Sequence, residues 1–441
     1  MLYAVNPEWR THNSRDVNKE NDGSEVIIGG WVQQLRDKGR LMFLTIRDPK
    51  GICQVTLHEK KVHPDVWQIC KKLTLESVVT IKGLVKADPR SKLGAELSPT
   101  LVTVHAEAAP KVPIDLTKKK TKMDIDTIFS FRELSIRDPE VVAIMELKNL
   151  IANGTRNFFQ ENGFIEIFTP SIITASTEGG AEQFKLDYFG QPAVLAQSCQ
   201  FYKQAALSCH EKVFGIIPSW RAEKSHTPKH ITEFLQIENE IAFATDKEIM
   251  QVQEDLIVAV IETVLSEGSY QLNQLNRSLK IPETPFKRIP FQEAKQIILD
   301  AGVEEELGED FGAPGEAVLS KAFKDPFFIT EFPVHLRGMY YAPNPENHKL
   351  TRSLDLMAPE GFGELSSGGQ RVSSHEILEE RIIQQGFDVS NFEWYLRMFK
   401  FGMPPHAGFG MGFERLVRWI ANLPHIREAS MFPRTPEIYS P

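Results

Sequence analysis

The chain has 441 residues, 41% of them hydrophobic and 25% charged, and a formal net charge of −9. This length allows two or three domains with separate cores. The acidic balance argues against a protein that coats nucleic acid indiscriminately, although it leaves room for a local basic face. No apolar run approaches the roughly 20 residues of a membrane span, and no basic-then-apolar signal pattern opens the chain, so we expect a cytoplasmic protein without membrane contact. The four cysteines form no CxxC pair, so neither a disulfide framework nor a zinc knuckle is expected.

Residues 25–107 contain five β-branched or alternating runs, separated by the turn sequences DKG, DPKG and DPRSKLG, with a helical interval near 64–73. This pattern predicts an OB-like β-barrel, a fold that commonly binds oligonucleotides. We therefore assign residues 1–107 to an N-terminal OB-fold domain.

Residues 108–137 carry two prolines and five lysines, and we assign them to a linker. The lysines are Lys111, Lys118, Lys119, Lys120 and Lys122. They can form a solvated basic linker or contact a nucleic-acid backbone, and the sequence favours the first interpretation without excluding the second.

Residues 138–441 form the second predicted domain, which begins with a helix. Asp138, Pro139 and Glu140 supply an N-cap, a proline at the first helical position and an acidic first turn. Apolar residues then follow at helical spacing, and Gly163 closes the helix before the predicted strand GFIEIFTP.

Further strands are predicted at 193–196, 213–218, 235–243, 327–331, 338–342 and 352–357, and helices at about 246–265, 291–301 and 374–386. Strands grouped with hairpins, without regular βαβ repeats, predict an α+β domain in which helices flank a largely antiparallel sheet. The sequence contains no GxxxxGK[ST] or GxGxxG phosphate loop, so any ATP site uses neither common cradle.

The sequence WRAEKSHTPKHITEF, residues 220–234, concentrates charge where two predicted strands are connected. It can simply be a polar hairpin tip. Alternatively, Arg221 and Glu223 share one face of the strand because they are two residues apart. The guanidinium could then bind phosphate or carboxylate oxygens in bidentate fashion, while the glutamate orients it or accepts from an adenine amino group. Lys229 and His230 would add positive charge at the far end of a triphosphate.

The sequence PPHAGFGMGFERLVRWI, residues 404–420, combines a glycine-rich strand with the start of a helix. Gly408, Gly410 and Gly412 leave one strand face nearly free of side chains, so a flat ring could lie against the backbone. Arg415 follows at the strand–helix junction, where its guanidinium can stack on a base. A glycine-rich bend packed on the core is the simpler alternative.

Two other stretches contain candidate ligands. Asp355, Glu364 and Ser367 offer hard oxygen atoms suited to a Mg²⁺ ion that bridges phosphates, although acidic residues at a surface are usually only solvated. Lys203 follows aromatic residues, so it can extend its charged end to solvent or neutralise a substrate carboxylate.

Taken in order, these stretches resemble the class II aminoacyl-tRNA synthetases. GFIEIFTP looks like their dimer-interface motif, WRAEKSHTPKHITEF like their second motif and GFGMGFERL like their third. The stretch GGWVQQLRDKGRLMFLTIRDPKGICQ resembles the anticodon-binding OB domain of the aspartyl, asparaginyl and lysyl subgroup, so the resemblance covers nearly the whole chain. It implies a homodimeric ligase that makes an aminoacyl-adenylate from ATP and then transfers the acyl group to tRNA.

The resemblance also implies roles for individual residues. Arg221, Glu223 and Arg415 are the candidate catalytic residues, with Arg221 at the α-phosphate, Glu223 at the adenine and Arg415 over the ATP. The implied ATP contacts are Arg221, Ala222, Glu223, Lys229, His230, Ile231, Glu364, Gly412, Phe413, Glu414 and Arg415. The implied amino-acid contacts are Glu178, Gln200, Lys203, Arg221, Ser367 and Arg371, and the implied Mg²⁺ ligands are Glu364, Ser367 and Asp355.

The stretch QFYKQ bears on which amino acid is activated. Within the resembling subgroup, aspartyl enzymes carry QLYKQ, whereas asparaginyl enzymes usually carry QLYLE. Lys203 and Arg371 together suit a charged carboxylate, because a neutral amide would leave one cation uncompensated in a partly dry pocket, at a cost of several kcal/mol. We therefore predict an aspartate–tRNA ligase that uses ATP, aspartate and tRNA(Asp), with tRNA(Asn) left open as a second acceptor.

Other features favour the alternative, an asparagine–tRNA ligase. The span DLMAPEGFGE, the ending MFPRTPEIYSP and Glu238, where aspartyl enzymes usually have aspartate, are closer to archaeal-type asparaginyl enzymes. Cys199, Lys229 and Val372 also depart from the aspartyl pattern. Two further alternatives are a tRNA-independent relative that makes asparagine from aspartate and a catalytically silent paralog that only binds nucleic acid or a partner.

In the OB domain, the resemblance places Phe43 where its ring can stack on an anticodon base, and Gln54 and Arg36 where they can read base edges. The alternative place for Phe43 is the barrel core. Residues 244–325 are too few for the bulky extra domain of many bacterial aspartyl enzymes, so a compact archaeal- or eukaryote-like form is the better match.

Overall fold

The structure is a computed structural model that describes residues 5–91, 93–116, 123–174, 182–224, 230–303 and 309–440. The chain divides into two compact units, Met1–Val142 and Ala143–Pro441. Within the described ranges, no helix combines the length and the apolar character that crossing a membrane requires. The domain boundaries at residues 107 and 137 remain predictions.

The first unit contains a closed five-stranded barrel with the strand order β1-β2-β3-β5-β4. Its strands are β1 Glu25–Asp37, β2 Leu41–Asp48, β3 Gly51–His58, β4 Val78–Ala87 and β5 Ala95–Ala106, and α1 spans Pro64–Lys72. Successive side chains of a strand point to opposite faces, so Val26, Ile28 and Val32 of β1 all enter the barrel core. The predicted OB-fold barrel, including its helical interval, is confirmed.

The stretch predicted as a linker contains two short helices, α2 Ile125–Ser130 and α3 Arg132–Ser135. Just after them, Arg137 Nη1 lies 3.0 Å from a carboxylate oxygen of Glu76, which also receives Arg47 Nη2 at 2.7 Å. Arg47 and Glu76 are buried, so this group of charges fixes residue 137 within the first unit. Two 3-10 helices, Ser14–Asp16 and Lys19–Asn21, complete the unit.

The long helix α4, Pro139–Glu161, begins where the sequence predicts. The Asp138 carboxylate accepts a hydrogen bond from the backbone N–H of Glu140 at 2.8 Å, as expected of an N-cap residue. After the helix, Gly163 adopts a φ of +78°, a left-handed conformation that glycine adopts without strain.

The second unit is built on an eight-stranded sheet with the order β12-β13-β14-β15-β16-β11-β10-β6. The strands are β6 Ile165–Glu166, β10 Lys212–Trp220, β11 Glu233–Ala242, β12 Lys287–Pro290, β13 Phe327–Thr330, β14 Ser353–Ala358, β15 Gly363–Gln370 and β16 His406–Gly412. Only the outermost pairs, β12 with β13 and β10 with β6, are parallel. The predicted α+β domain with a largely antiparallel sheet is therefore confirmed.

The other elements surround this sheet or extend from it. A smaller sheet has the order β7-β9-β8, with β7 Ile172–Ile173, β8 Lys185–Tyr188 and β9 Gln191–Leu195. The helices are α5 Gln200–Ala206, α6 Asp246–Glu267, α7 Ser269–Gln274, α8 Phe291–Asp300, α9 Ala313–Ala322, α10 His375–Gln384, α11 Glu393–Lys400 and α12 Phe413–Ile420. Further 3-10 helices occupy Val334–Leu336, Val389–Phe392 and Ile426–Ala429.

The two faces of the large sheet have different roles. On β11, Ile237 and Ile241 join the main hydrophobic core with residues of α4, α6 and α12. The alternate positions, Gln236, Glu238 and Glu240, therefore point to the opposite face. That polar face is where the candidate site lies.

Two predicted elements differ from the structure. Residues 338–342, predicted as a strand, form a turn in which the N–H of Tyr341 donates to the carbonyl of Gly338 at 3.2 Å. Residues 363–370, which are not among the predicted strands, form β15 between β14 and β16. Serine and glycine have low strand propensity, and the two neighbouring strands override it.

Candidate active site

A cavity of about 340 Å³ opens on the polar face of the sheet, lined by residues of β11, β15, β16 and α12, by residues just after β10, and by others. Arg221 and Arg415, at the ends of two separate motifs, both line it. The other predicted site residues on its wall are Gln200, Glu223, His230, Ile231, Glu364, Ser367, Gly412 and Glu414. Three stretches far apart in the chain are therefore brought to one site.

Arg221 lies just beyond β10, and its backbone N–H donates to the carbonyl of Thr232 across the hairpin at 3.0 Å. Its guanidinium carbon lies 5.5 Å from the centroid of the Phe234 ring, which holds the side chain on the cavity wall. Its Nε is buried and has no hydrogen-bond acceptor among the described residues. This N–H is available for a ligand oxygen.

Arg415 faces the same space from the first turn of α12. Its Nη1 lies 3.2 Å from the Glu364 carboxylate and 3.3 Å from the Glu364 carbonyl oxygen. Burial alone would raise the pKa of Glu364, but Arg415 and neighbouring arginines hold this pKa below its ordinary value. Burial, with Arg415 nearby, lowers the pKa of His230, so this imidazole favours its neutral form.

Three predicted nucleotide contacts have other roles in the structure. The Ala222 N–H donates to the Glu182 carbonyl at 2.9 Å, and Phe413 is buried in the core. Glu414 receives the Lys148 ammonium at 2.7 Å and the Leu235 N–H at 2.9 Å, which ties α12 to α4 and β11. Their direct contact with a nucleotide stays a prediction. Glu178 and Lys229 lie outside the described residues.

Lys203 is buried behind the part of the cavity wall that Glu238 forms, which the resemblance assigns to the amino acid and which we call the amino-acid end. Three oxygens surround its Nζ: the Glu238 carboxylate at 2.6 Å, the Phe409 carbonyl at 2.9 Å and the Glu240 carboxylate at 3.3 Å. The ammonium donates hydrogen bonds to Glu238 and to the Phe409 carbonyl, and Glu240 lies at ion-pair distance. Burial would lower the pKa of Lys203, but Glu238 and Glu240 raise it, so the lysine stays charged.

Arg371 is the second buried cation at this end. Its Nε lies 2.8 Å from Glu240, and its guanidinium lies over the Tyr341 ring at 4.8 Å. The surplus of positive charge expected from Lys203 and Arg371 is not found, because Glu238 and Glu240 balance it. The four charges sum to zero.

Some polar atoms around this group of four charges are left unpaired. Arg371 Nη1 and Gln200 Nε2 are buried donors that have no acceptor within the ranges the structure describes. Glu238 lines the cavity and accepts a hydrogen bond from the Ser198 hydroxyl at 3.1 Å. Of these residues, Gln200 and Glu238 line the cavity, so the amino-acid end offers one donor and one carboxylate face, whereas Arg371 is buried and is not part of the lining.

The glycines of β16 make room for these acids. In the sheet register, Gly408 pairs with Glu240 and Gly410 with Glu238. A Cβ atom at Gly410 would lie 3.1 Å from both carboxylate oxygens of Glu238, and one at Gly408 would collide with Glu240. The bare strand face predicted from the glycines is thus partly filled by glutamates.

The predicted Mg²⁺ ligands lie between the two ends. The Ser367 hydroxyl donates to Asp355. Ser367 and Glu364 line the cavity. Among the described residues there is no cluster of three or more His, Cys, Asp or Glu side chains that could hold a metal alone. Two carboxylates and a hydroxyl fit an ion that takes its remaining oxygens from phosphates. Burial raises the pKa of Asp355 to about 7, although Arg337 opposes this shift.

Sequence reasoning missed Glu240 and Arg337. Glu240 could have been found, because it is two residues from Glu238 on one strand and must share its face. Arg337 follows the 3-10 helix Val334–Leu336 and lies in an irregular stretch, where no periodicity indicates the direction of its side chain.

In the first unit, Phe43 lies on the outer face of β2, because Met42, Leu44 and Ile46 occupy the core positions. In the strand register Phe43 pairs with Arg36 of β1 and with Thr56 of β3, so the three share that face. Gln54, two residues before Thr56, donates to Glu96 at 3.2 Å on the same surface. The barrel-core alternative for Phe43 is excluded, and base contacts remain predictions.

Residues 124–436 match the family model of tRNA synthetases class II (D, K and N), and residues 26–107 match that of the OB-fold nucleic acid binding domain. The chain is 38% identical over 424 residues to asparagine–tRNA ligase of Thermococcus gammatolerans (96% of this chain, 97% of that protein). It is 39% identical over 434 residues to aspartate–tRNA(Asp) ligase of Thermococcus kodakarensis (97% and 98%). The crystal structure of asparaginyl-tRNA synthetase from Pyrococcus horikoshii complexed with asparaginyl-adenylate superposes with a TM-score of 0.93 at 36% identity, covering 100% of both chains.

Aspartate and asparagine ligases match at nearly the same identity, so these similarities do not distinguish the two substrates. They do agree on the reaction class and on the two-domain arrangement of barrel and catalytic sheet. This chain belongs to the class II tRNA synthetases and is a ligase of the group whose homologues act on aspartate or asparagine.

Proposed function

We propose that this synthetase activates asparagine and attaches it to tRNA. The observation that carries the proposal is the electroneutral group of Lys203, Glu238, Glu240 and Arg371 at the buried end of the cavity. A neutral side chain leaves this balance unchanged. A carboxylate adds an uncompensated negative charge to a site largely removed from water, which is strongly unfavourable.

Hydrogen bonding leads to the same choice. An asparagine amide has a carbonyl that accepts and an NH₂ group that donates. On the cavity wall, the unpaired Gln200 Nε2 is a donor for the carbonyl and Glu238 is an acceptor for the NH₂ group; the unpaired Arg371 Nη1, which does not line the cavity, would be a second donor. Aspartate would satisfy the donors equally well, but its second oxygen would meet the Glu238 carboxylate.

Aspartate remains the second candidate because Lys203 is present at all. If Glu238 turned away from the ammonium, 2.6 Å distant, Lys203 could reach a substrate carboxylate. This alternative requires the breaking of a buried ion pair before the substrate binds, whereas asparagine requires no rearrangement of charge.

The adenylate-forming step follows from the arrangement of the cavity. The α-carboxylate of the amino acid attacks the α-phosphate of ATP, a P–O bond forms, and diphosphate leaves. Arg221, which has an unpaired N–H, and Arg415, which lines the same cavity, would bind near this position and offset repulsion between the two anions. Mg²⁺ held by Asp355, Glu364 and Ser367 would neutralise phosphate oxygens. The 3′-terminal hydroxyl of tRNA would then attack the acyl carbon and release AMP.

We also propose that the chain acts as a homodimer and reads the anticodon with the outer face of its barrel. Phe168 is 88% exposed, and Ile165 and Ile172 nearby are about half exposed, in the stretch that resembles the dimer motif. An apolar group of this kind is typical of a protein–protein interface. Sedimentation of the wild type and of Phe168→Asp tests the dimer, which the variant should weaken.

Exchange of radioactive diphosphate into ATP with each of the twenty amino acids tests the specificity. Exchange that saturates with asparagine, and is at least about tenfold weaker with aspartate, supports the proposal. Preferential exchange with aspartate refutes it and selects the second candidate. Exchange with neither excludes both and favours the silent paralog.

The variant Glu238→Gln tests the specificity, because it should affect kcat/KM for asparagine and kcat/KM for aspartate in opposite directions. If Glu238 accepts from the amide, the variant should lose about tenfold or more in kcat/KM for asparagine. It should also lose its discrimination against aspartate, because the repelling carboxylate is gone. Glu233→Gln, an exposed change on the same strand, is the matched control. A parallel loss for both amino acids would contradict the assigned contact.

A further inference from the structure

Arg337 brings a third guanidinium to the cavity, and the reaction described above does not use it. It lines the cavity together with Ser367 and Glu364, and only 9% of the residue is exposed. Its backbone carbonyl accepts hydrogen bonds from Gln385 Nε2 at 2.8 Å and from Arg381 Nη2 at 3.3 Å. The residue is therefore held firmly by side chains from and just beyond α10.

The guanidinium of Arg337 binds the same oxygen atoms that the family resemblance assigns to Mg²⁺. Its Nη2 lies 2.6 Å from Asp355 Oδ2, and its Nη1 donates to the Ser367 hydroxyl at 3.2 Å. The other Asp355 oxygen accepts from Ser367. Both carboxylate oxygens of Asp355 and the serine hydroxyl thus have partners within the protein.

The side chain has limited freedom to leave this position. Its guanidinium carbon lies 3.5 Å from the centroid of the Phe332 ring, so the planar group is stacked. Its Nε is buried and has no acceptor among the residues that the structure describes. A divalent cation at Asp355 and Ser367 would lie in contact with a positive group that cannot lose its proton, at the short distance where repulsion between like charges is largest.

We propose that Arg337 competes with the divalent cation for Asp355 and Ser367, so that metal binding depends on the phosphates of the nucleotide. The proposal rests on the assignment of these oxygens as metal ligands. The protein by itself offers the ion a site whose oxygens are already bound to a cation. ATP supplies additional oxygen ligands and negative charge, which offset the repulsion from Arg337. Arg337 acts here as a positioning residue that couples the metal to the nucleotide.

Mn²⁺, whose free form is quantified by electron paramagnetic resonance, is the probe. We expect Arg337→Met to bind Mn²⁺ without nucleotide at least about tenfold more tightly than the wild type, because one like charge at contact is removed. With ATP present, the two proteins should differ much less. Arg352→Gln is the control: it removes a guanidinium beside β14 that pairs with Asp246, and it should leave Mn²⁺ affinity unchanged.

Equal or weaker Mn²⁺ binding by a folded Arg337→Met protein would overturn the proposal, since a residue that only supports the site would lower affinity when removed. If Arg337→Met does not fold, Arg337→Ala in the presence of methylguanidinium gives the same test. The added cation should weaken Mn²⁺ binding to this variant and leave the wild type unaffected, and no effect on either protein contradicts competition. Absence of Mn²⁺ binding by both proteins, even with ATP, would overturn the metal assignment as well. The amino-acid specificity is tested separately, by the diphosphate exchange experiment.

Discussion

The two ends of the cavity use the same kinds of residues, a basic side chain beside a glutamate, but differ in how completely their charges are paired. At the amino-acid end, Lys203 and Arg371 are almost fully buried, both contact Glu240, and three oxygens lie within 3.3 Å of the lysine Nζ. At the nucleotide end, Arg221 is half-buried and keeps a free Nε, while Arg415 shares one carboxylate. Under the proposed function, the first arrangement would select a ligand by neutrality and hydrogen-bond geometry, whereas the second would provide donors for a polyanion.

The largest expected effect is on stability, through a substitution at the amino-acid end. Glu240→Gln would leave Lys203 and Arg371 with one carboxylate between them, and breaking a buried ion pair costs about 3–5 kcal/mol. We expect the free energy of unfolding, measured in urea, to fall by this amount. Glu233→Gln on the same strand is exposed and should change it little. A loss below about 1 kcal/mol would mean that the four charges are not a structural unit.

The contribution of Glu240 should also depend on pH. Burial raises its pKa, but Arg371 and Lys203 outweigh burial and lower the pKa below the ordinary value of 4.5. A carboxyl group whose folded pKa is lowered stabilises the protein above its unfolded pKa and loses this contribution as the pH falls through the folded value. The stability difference between the wild type and Glu240→Gln should therefore be constant from pH 6 to 7 and shrink below about pH 4.5. A difference that grows on acidification would reverse the assigned sign.

At the nucleotide end, a substitution should lower the catalytic rate and leave the free energy of unfolding nearly unchanged. Arg221→Ala removes a donor beside the α-phosphate position, and the loss of one such donor costs about 100- to 1,000-fold in rate. Pre-steady-state adenylate formation is the measurement. Arg397→Ala, an exposed change on α11, is the charge-matched control. A large fall in melting temperature for Arg221→Ala would show that this end is structural too, and the contrast would fail.

A smaller effect tests the orientation of Glu238. Ser198→Ala removes the hydroxyl that donates to this carboxylate at 3.1 Å. We expect KM for the amino acid to rise by about tenfold while KM for ATP stays within about twofold. Ser208→Ala, exposed after α5, is the control. An equal rise in both constants would indicate general damage to the cavity.

Local patterns predicted much of the architecture. Alternation in residues 25–107 predicted the barrel, and the Asp138 cap predicted the start of α4. The second and third motifs predicted that Arg221 and Arg415 meet, which the shared cavity confirms. These features depend on neighbouring residues in the sequence or on motifs shared across the family, so they can be predicted from the sequence alone.

The charge balance could not be predicted in the same way. Lys203 is 35 residues from Glu238, and Arg371 is 131 residues from Glu240. Arg337 pairs with Asp355 from an irregular stretch. This stretch directly precedes residues 338–342, which were predicted as a strand. Whether two such charges neutralise each other depends on which strands become neighbours and on the direction of each side chain.

By itself, the sequence determined the family, the two folds and the residues that we predict around the substrates, because these follow from local periodicity and from motif order. Only the tertiary structure decided that the two buried cations have internal partners, because Coulomb energy depends on distance in space. That pairing is the reason why we propose an amide, and not a carboxylate, as the preferred substrate side chain.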